Sequence, residues 1–491
     1  MNYLRITFGI LFFILLINSK LASGNVKIIA QSSEYNLPSS EKFIKILGYD
    51  STGIYILKED YSQLLEKYDN NCTIKTSAHL KFHKGFRSRK FEDLIYFHDS
   101  IYLFFSEYKF NHTRLYVQNI NKETLKPEGP ERLLYNRVNE KGNFPDFYFD
   151  LSLERNILLI TVRTDIIIKK SIVFEYITFT EGMKLLWSRK DLYIYNHQMP
   201  KIISYTVDEE GIVYLFGLIY EIRWIEHFSD PLKAQYLVLK YSDKGNNREQ
   251  YIFNIYNKYV RDAKLIAGQN ETFIAAGLLS DNYKYGVSGI FYQTLNSETK
   301  ELKPIKIYNF DAALMESINE NEIFKSDEGY DYFLKTLVLR KNGDVLLLSE
   351  QNYINQDYDN INSIIAISVN KFGDINWSRL INKKQSGIYN TSFLTIAPPY
   401  LNSIKIIYNE SAENSIDLMT KKRKSFFFLD DSYLCIKEIN ENGNIFTDSL
   451  LMRSGKEPAI EPTYYYDNRN GEIVVLALRY RKYKIIKLKM F

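Results

Sequence analysis

Short apolar runs broken by tight polar turns recur along this chain from residue 43 almost to its end. The clearest case is 336–381, where TLVLRKNGDVLLLSE and SIIAISVNKFGDINWSRLI are joined by a polar spacer. Each half is a run rich in Val, Ile and Leu, a Gly-containing turn and a second such run. Too few residues lie between breakers for a helix, so each half predicts a β-hairpin. Two hairpins in series predict a four-stranded antiparallel sheet. Repetition of that unit along the whole chain predicts an all-β propeller of radially arranged blades.

Paired as inner and outer hairpins, the units are 43–57 with 64–80, 94–105 with 115–134, 147–162 with 172–192, 202–218 with 236–255, and 263–278 with 289–308. After the sixth, at 336–381, come 393–408 with 433–450, and last 464–478 with a lone third strand at 483–488. Turn signals such as DEEG (208–211), SDKG (242–245), NENG (440–443) and DNRNG (467–471) punctuate them. An orphan strand at 26–30 matches the strand missing from the last unit. The expected ring is therefore closed by an N-terminal strand added to the last blade, which removes an unpaired edge. That gives eight blades with a repeat of roughly 60 residues, seven being the alternative. Two segments break the rhythm: 311–324 has helical spacing, and MTKKRK at 419–424 reads as a basic loop.

Trp187-Ser188-Arg189 and Trp377-Ser378-Arg379 both fall in the final strand of a blade, after a Gly-containing turn. The spacing Gly373-x-x-x-Trp377, echoed loosely by Gly182 to Trp187, resembles the tryptophan motif of eight-bladed quinoprotein-type propellers. More broadly the chain resembles the uncharacterised secreted propeller proteins of bacteria whose repeats read strand, Gly turn, Trp-Ser-(Lys or Arg). What the resemblance implies is the fold. Quinoprotein dehydrogenases are pyrroloquinoline-quinone enzymes, some with an adjacent Cys pair near the cofactor; this chain has no such pair and no matching set of calcium and cofactor ligands. It also lacks the WD and Gly-Gly pairs of WD40 and kelch repeats.

Composition adds compartment. Residues 1–24 hold Arg5, an apolar stretch from Ile6 to Ile17 and the small residues Ala22-Ser23-Gly24, the pattern of a cleaved signal peptide too short to span a bilayer comfortably. The expected organisation is a signal at 1–24 and one propeller domain at 25–491, secreted or periplasmic, with cell-surface association open, and monomeric. Net charge is +4 over 491 residues, and Arg5 and Lys20 leave with the signal, so no nucleic-acid partner follows, nor a transmembrane segment in the mature chain. Cys72 and Cys435 are too few for a disulfide framework and lie in non-adjacent blades of the eight, so both are expected as free thiols.

Candidate chemistry is sparse. An acidic residue stands at or near the start of six inner hairpins: Glu41, Asp93, Asp146, Asp262, Asp331 and Glu461, with Lys201 and Ser392 in the other two units. Gathered at one mouth of the channel, these would form a partial ring of negative charge for a basic ligand or a cation; no cofactor is expected, calcium being the one such a ring would accept. The plainer reading is that acids are common in polar links before strands. His79 and His83 share a strand face but stand about 13 Å apart, too far for one ion. The 40 Tyr and 31 Phe suit sugar stacking, and suit strand packing better. The acid-free basic stretch 479–489 reads as a solvated strand near the sheet edge. The expected function is a non-catalytic propeller that binds a protein or glycan partner through the loops of one face. The alternatives are a carbohydrate-active enzyme with carboxylates at the channel mouth and an outer-membrane assembly scaffold.

Overall fold

The computed structural model describes residues 26–490 except 82–88, 140–142, 167–170, 195–197, 222–234, 269, 283–285, 297, 321–330, 356–357, 388–390, 398–401, 416–424 and 427–429. The signal segment, Trp224, His83, His197, His227 and the basic loop at 419–424 lie outside the described residues.

Eight antiparallel sheets follow one another along the chain, seven of them built on four sequential strands paired in order across the sheet and the eighth on three. The inner strands are Lys42–Asp50, Arg89–Phe97, Asp146–Leu151, Gln198–Val207, Tyr259–Ala267, Asp331–Leu339, Leu394–Ile396 and Ala459–Asp467, in blades one to eight. The eighth blade borrows its outermost strand: Lys27–Gln31 pairs antiparallel with Lys482–Lys489, Ile28 opposite Leu488 and Gln31 opposite Ile486. Tyr35–Asn36 extends the same edge by pairing with Tyr483 and Lys482. The chain is an eight-bladed β-propeller closed at its N-terminal strand, as the pattern predicted.

The strands are uninterrupted apolar runs because both faces of each blade are covered by neighbours. In Phe273–Ser280 every residue is buried, whereas in the outer strand Ile74–His79 none is. The apolar side chains gather into eight separate clusters, each shared by two consecutive blades. Blades one and two contribute Leu57, Leu65, Leu94 and Leu103 to one. The seam between eight and one joins Ile54, Ile56 and Cys72 to Val474, Leu476 and Ile485. The helix expected within 311–324 is Ala312–Glu320, and its Leu314 and Ile318 sit in the cluster between blades five and six.

The Trp-Ser-Arg repeat has a physical meaning. Trp187, on the outer strand of blade three, donates its Nε1–H to Gly211 O of blade four at 3.0 Å, and Arg189 donates to Asn246 O there at 3.2 Å. Trp377 does the same from blade six to blade seven, with Glu441 O at 2.7 Å, while Arg379 reaches Gly443 O at 3.2 Å. Gly443 is required twice over. Its φ of 76° is left-handed, and a Cβ there would stand 2.5 Å from the Trp377 ring.

Two outcomes follow from this frame. Deleting residues 27–31 removes the outer ladder of blade eight together with the Ile28 and Ala30 packing, and should cost about 2–4 kcal/mol in equilibrium unfolding, with loss of solubility; a deletion variant that melts like the parent would overturn the closure. Both cysteines are buried with no disulfide between them, and burial pushes the Cys72 thiol up to about 11. Ellman's reagent should therefore label neither in the native protein and both after denaturation, with no intramolecular disulfide in the mass spectrum.

Candidate functional site

The six acidic residues of the strand entries stand in the inner strands or directly before them. Within their own blades Asp93 pairs with Phe104, Asp146 with Arg163, Asp262 with Leu278 and Asp331 with Asn352. Two of the described side chains, those of Asp93 and Asp262, join neighbouring blades. Asp93 receives Lys45 of blade one at 2.5 Å. Glu41 lies 3.3 Å from the buried Lys58. Asp262 accepts the backbone N–H of Ala263 and, across to blade six, that of Leu334, both at 2.8 Å. Glu461 is buried and accepts from Thr463 at 2.9 Å. Asp146 is exposed, and the Asp331 side chain lies outside the described residues. Among the described residues no three His, Cys, Asp or Glu side chains are grouped to hold a metal ion. His79 meets Ser62 Oγ at 2.9 Å, His98 meets Asn156 O at 3.2 Å, and His112 meets Asn136 Oδ1 at 3.2 Å.

A hollow lies at the opposite end of the inner strands, on the turn face of blades eight, one and two. Its volume is about 540 Å³, and its lining includes Tyr49, Asp50, Tyr96, Asp99, Lys122 and Tyr466, with Ser51, Thr52, Asn468 and Asn470 at the turns. The three tyrosines hold one repeat position, each the penultimate residue of its inner strand. The fold brings equivalent positions of consecutive blades side by side, so three separated residues become one aromatic wall. Tyr96 meets Tyr466 edge to face with centroids 6.2 Å apart. It can lie against blade one only because position 48 is glycine, where a Cβ would stand 2.4 Å from the ring. Arg155 of blade three reaches over the Tyr466 ring with its guanidinium carbon 4.3 Å from the centroid.

A polar knot sits beside this wall. The Tyr96 hydroxyl lies 2.7 Å from Asp50 Oδ2 and 2.9 Å from Asp99 Oδ1. Lys122, from the outer turn of blade two, is ion-paired with Asp50 and donates to Asp99 O at 2.9 Å. Asp50 Oδ1 also accepts the Thr52 N–H and hydroxyl, both at 2.6 Å. Burial alone would raise the Asp50 carboxyl. The hydrogen bonds from Lys122, Thr52 and Tyr96 outweigh it and hold the group below the usual carboxylate range. Burial and the two adjacent carboxylates push the Tyr96 phenol far up, so it stays a neutral donor. Asp50 is thus a fixed anion and acceptor at neutral pH, unsuited to giving up a proton.

Sequence reasoning passed over this hollow because its acids lie in turns, where Asp reads as a turn former. Two signals were available: Gly48 inside an apolar strand, which marks a close approach, and the Tyr shared by GYD, IYF and YYD when the inner strands are aligned by their turns.

The polar knot fixes the direction of one measurement. In Lys122→Met, Asp50 loses its cation while keeping its burial, so its carboxyl should titrate higher than in the parent, where it is held below the ordinary range. Because the parent's folded value is depressed, the group stabilises the fold above the unfolded range, and that stability is lost as pH falls through the folded value. Carboxyl carbon NMR follows both; equal titration in parent and variant would mean that Lys122 does not set the charge.

No family model matches the chain, and no curated protein matches it. Solved structures resemble it at low identity and low TM-score. A Lactobacillus plantarum protein is 12% identical over 84% of this chain and 96% of its own, with a TM-score of 0.38. A Synechocystis apocarotenoid oxygenase mutant is 7% identical over 95% and 93%, at 0.37. An oligogalacturonate lyase in complex with manganese is 9% identical over 94% and 99%, at 0.35.

Proposed function

We propose that this protein is an exported, non-catalytic propeller that binds a glycan in the turn-face hollow of blades eight, one and two. The observation that carries the reading is the combination of three tyrosines at one repeat position with a rim of Asp, Asn, Ser and Thr side chains in about 540 Å³. Sugars present apolar C–H faces to aromatic rings while their hydroxyls exchange hydrogen bonds with carboxylates and amides, and that pairing of groups is what the hollow offers. Its polar lining suits a hydroxylated ligand better than an apolar peptide segment. The permanent charge of Asp50 supports binding over acid catalysis, since a glycosidase needs a carboxyl that holds its proton near neutrality. The entry-side carboxylates are drawn on by Lys45, Lys58 and the Leu334 N–H, which favours the turn face as the binding face.

A glycan array probed with the mature protein, followed by calorimetry on the best ligand, tests this. Tyr466→Ala, checked as folded by circular dichroism, should weaken binding about threefold to tenfold, the worth of one aromatic contact, with the glycan recovered intact. Capture that is indifferent to Tyr466→Ala removes the hollow from the reading. Shortened glycan products would replace a binding protein with an enzyme.

A further inference from the structure

A second opening lies between the inner strands of blades three and four, away from the hollow. It is about 280 Å³, lined by Tyr148, Phe149, Asp150, Thr161, Arg163 and Ile202 to Tyr205. Its walls are unusual in what they leave undone. Thr161 is fully buried, yet its Oγ1 meets no hydrogen-bond partner among the described residues, and the same holds for Ser204 Oγ. A buried hydroxyl without a partner is expensive, and one that lines an opening is satisfied by what enters it.

The chemistry of the walls narrows the occupant. Arg163 is already paired, Nε to Asp165 Oδ1 and Nη2 to Asp165 Oδ2, both at 2.8 Å, so its charge is cancelled locally. No other basic side chain lines the opening, and nothing remains to attract an anion. Tyr148 and Tyr205 lie with ring centroids 5.3 Å apart, and Tyr148 is 40% exposed, offering a ring edge and face at the entrance. Ile202 and Ile203 make the apolar side. The hydroxyls of Thr161 and Ser204 can donate or accept, and Asp150 accepts. A cavity of about 150 Å³ takes a benzene ring, so this one has room for a single ring carrying hydroxyls and no more.

We propose that the slot between the inner strands of blades three and four is a binding site for one uncharged sugar ring, seated on Tyr148 and hydrogen-bonded by Thr161 and Ser204. The site stands on its own geometry and does not depend on the hollow of blades eight, one and two.

Saturation-transfer NMR with D-glucose, D-galactose, D-mannose and N-acetyl-D-glucosamine, and with D-glucuronate as the charged counterpart, tests it on the whole chain. At least one neutral sugar should bind in the millimolar range. Thr161→Val keeps the side-chain shape and removes the hydroxyl, and should weaken that binding about threefold to tenfold. Ile203→Trp should fill the slot and abolish it. If Thr161→Val fails to fold, Ser204→Ala and Ile203→Trp decide. The proposal is overturned if none of the four sugars binds, if D-glucuronate alone binds, or if the folded variants bind like the parent. Loss of the same binding in Tyr466→Ala would place the sugar in the hollow and overturn it equally.

Discussion

The structure depends on apolar surface being buried between blades rather than within them. A four-stranded sheet has two faces, and here both are apolar in the middle strands, so a blade alone can cover neither. The eight clusters each belong to a pair of neighbours, as with Tyr214 and Phe216 of blade four against Phe273 and Phe291 of blade five. Stability is then a sum of neighbour terms, as in linear repeat proteins, but without the exposed ends that such proteins must cap. The N-terminal strand removes the last end. Val26 packs into the cluster between blades seven and eight, while the strand that follows it pairs with the edge of blade eight. The docking of Trp187 and Trp377 onto the next blade's turns adds a directional lock at two seams, and that lock explains why the motif occurs in pairs with Gly rather than with other aromatics.

Two seams also bury charge, where an apolar side chain would cost less. At the closure, Lys58 lies 2.8 Å from Glu66 and 3.0 Å from the Tyr483 hydroxyl, beneath the Phe43 ring. Burial opposes its charge, but Glu66 and Tyr483 prevail and hold the ammonium above its usual range. Between blades six and seven, Lys383 donates to Glu350 at 2.5 Å and to Gln385 at 2.7 Å, and Ser392 donates to the other Glu350 oxygen at 2.6 Å. There burial prevails and lowers the lysine. The ion pairs themselves, Lys58 with Glu66 and Lys383 with Glu350, lie within one blade, and each set reaches across its seam through a hydroxyl, Tyr483 to Lys58 and Ser392 to Glu350.

Blade number, closure and the helix at Ala312–Glu320 were legible because they rest on local signals: apolar runs, Gly turns, one orphan strand and one helical period. The roles of the entry carboxylates were not. Asp93 and Lys45 face each other because a bulge precedes each of them, one between Phe91 and Asp93 and the other between Phe43 and Lys45. An extra residue turns the following side chains to the opposite face, and no propensity marks where it falls. The short inner strand of blade seven, Leu394–Ile396, is a smaller departure of the same kind from the longer hairpin expected at 393–408. The hollow was half legible. Its tyrosines follow from the repeat, but Lys122 comes from an outer turn and Arg155 from another blade, and only the closed ring brings them together.

Differences between repeats locate function better than the repeat itself does. The penultimate inner-strand position is Tyr in blades eight, one and two, Asp150 in blade three, Thr206 in blade four, Ile266 in blade five and Val338 in blade six. It is Thr395 in blade seven, and only in the fifth and sixth blades is it apolar. Two aspartates at these strand ends diverge. Asp50, which ends the inner strand of blade one, is held below the ordinary carboxylate range by Lys122, Thr52 and Tyr96. Asp150 meets no lysine. Burial raises it to about 6, with the Leu151 and Val207 backbone N–H groups and Thr206 pulling the other way. One end of the arc therefore carries a fixed anion and the other a carboxyl that takes up a proton in mild acid. A frame with eightfold repetition thus presents two chemically distinct openings on the same arc of five blades. The asymmetry arises from which side chains the turns contribute, since the strands that carry them are built alike.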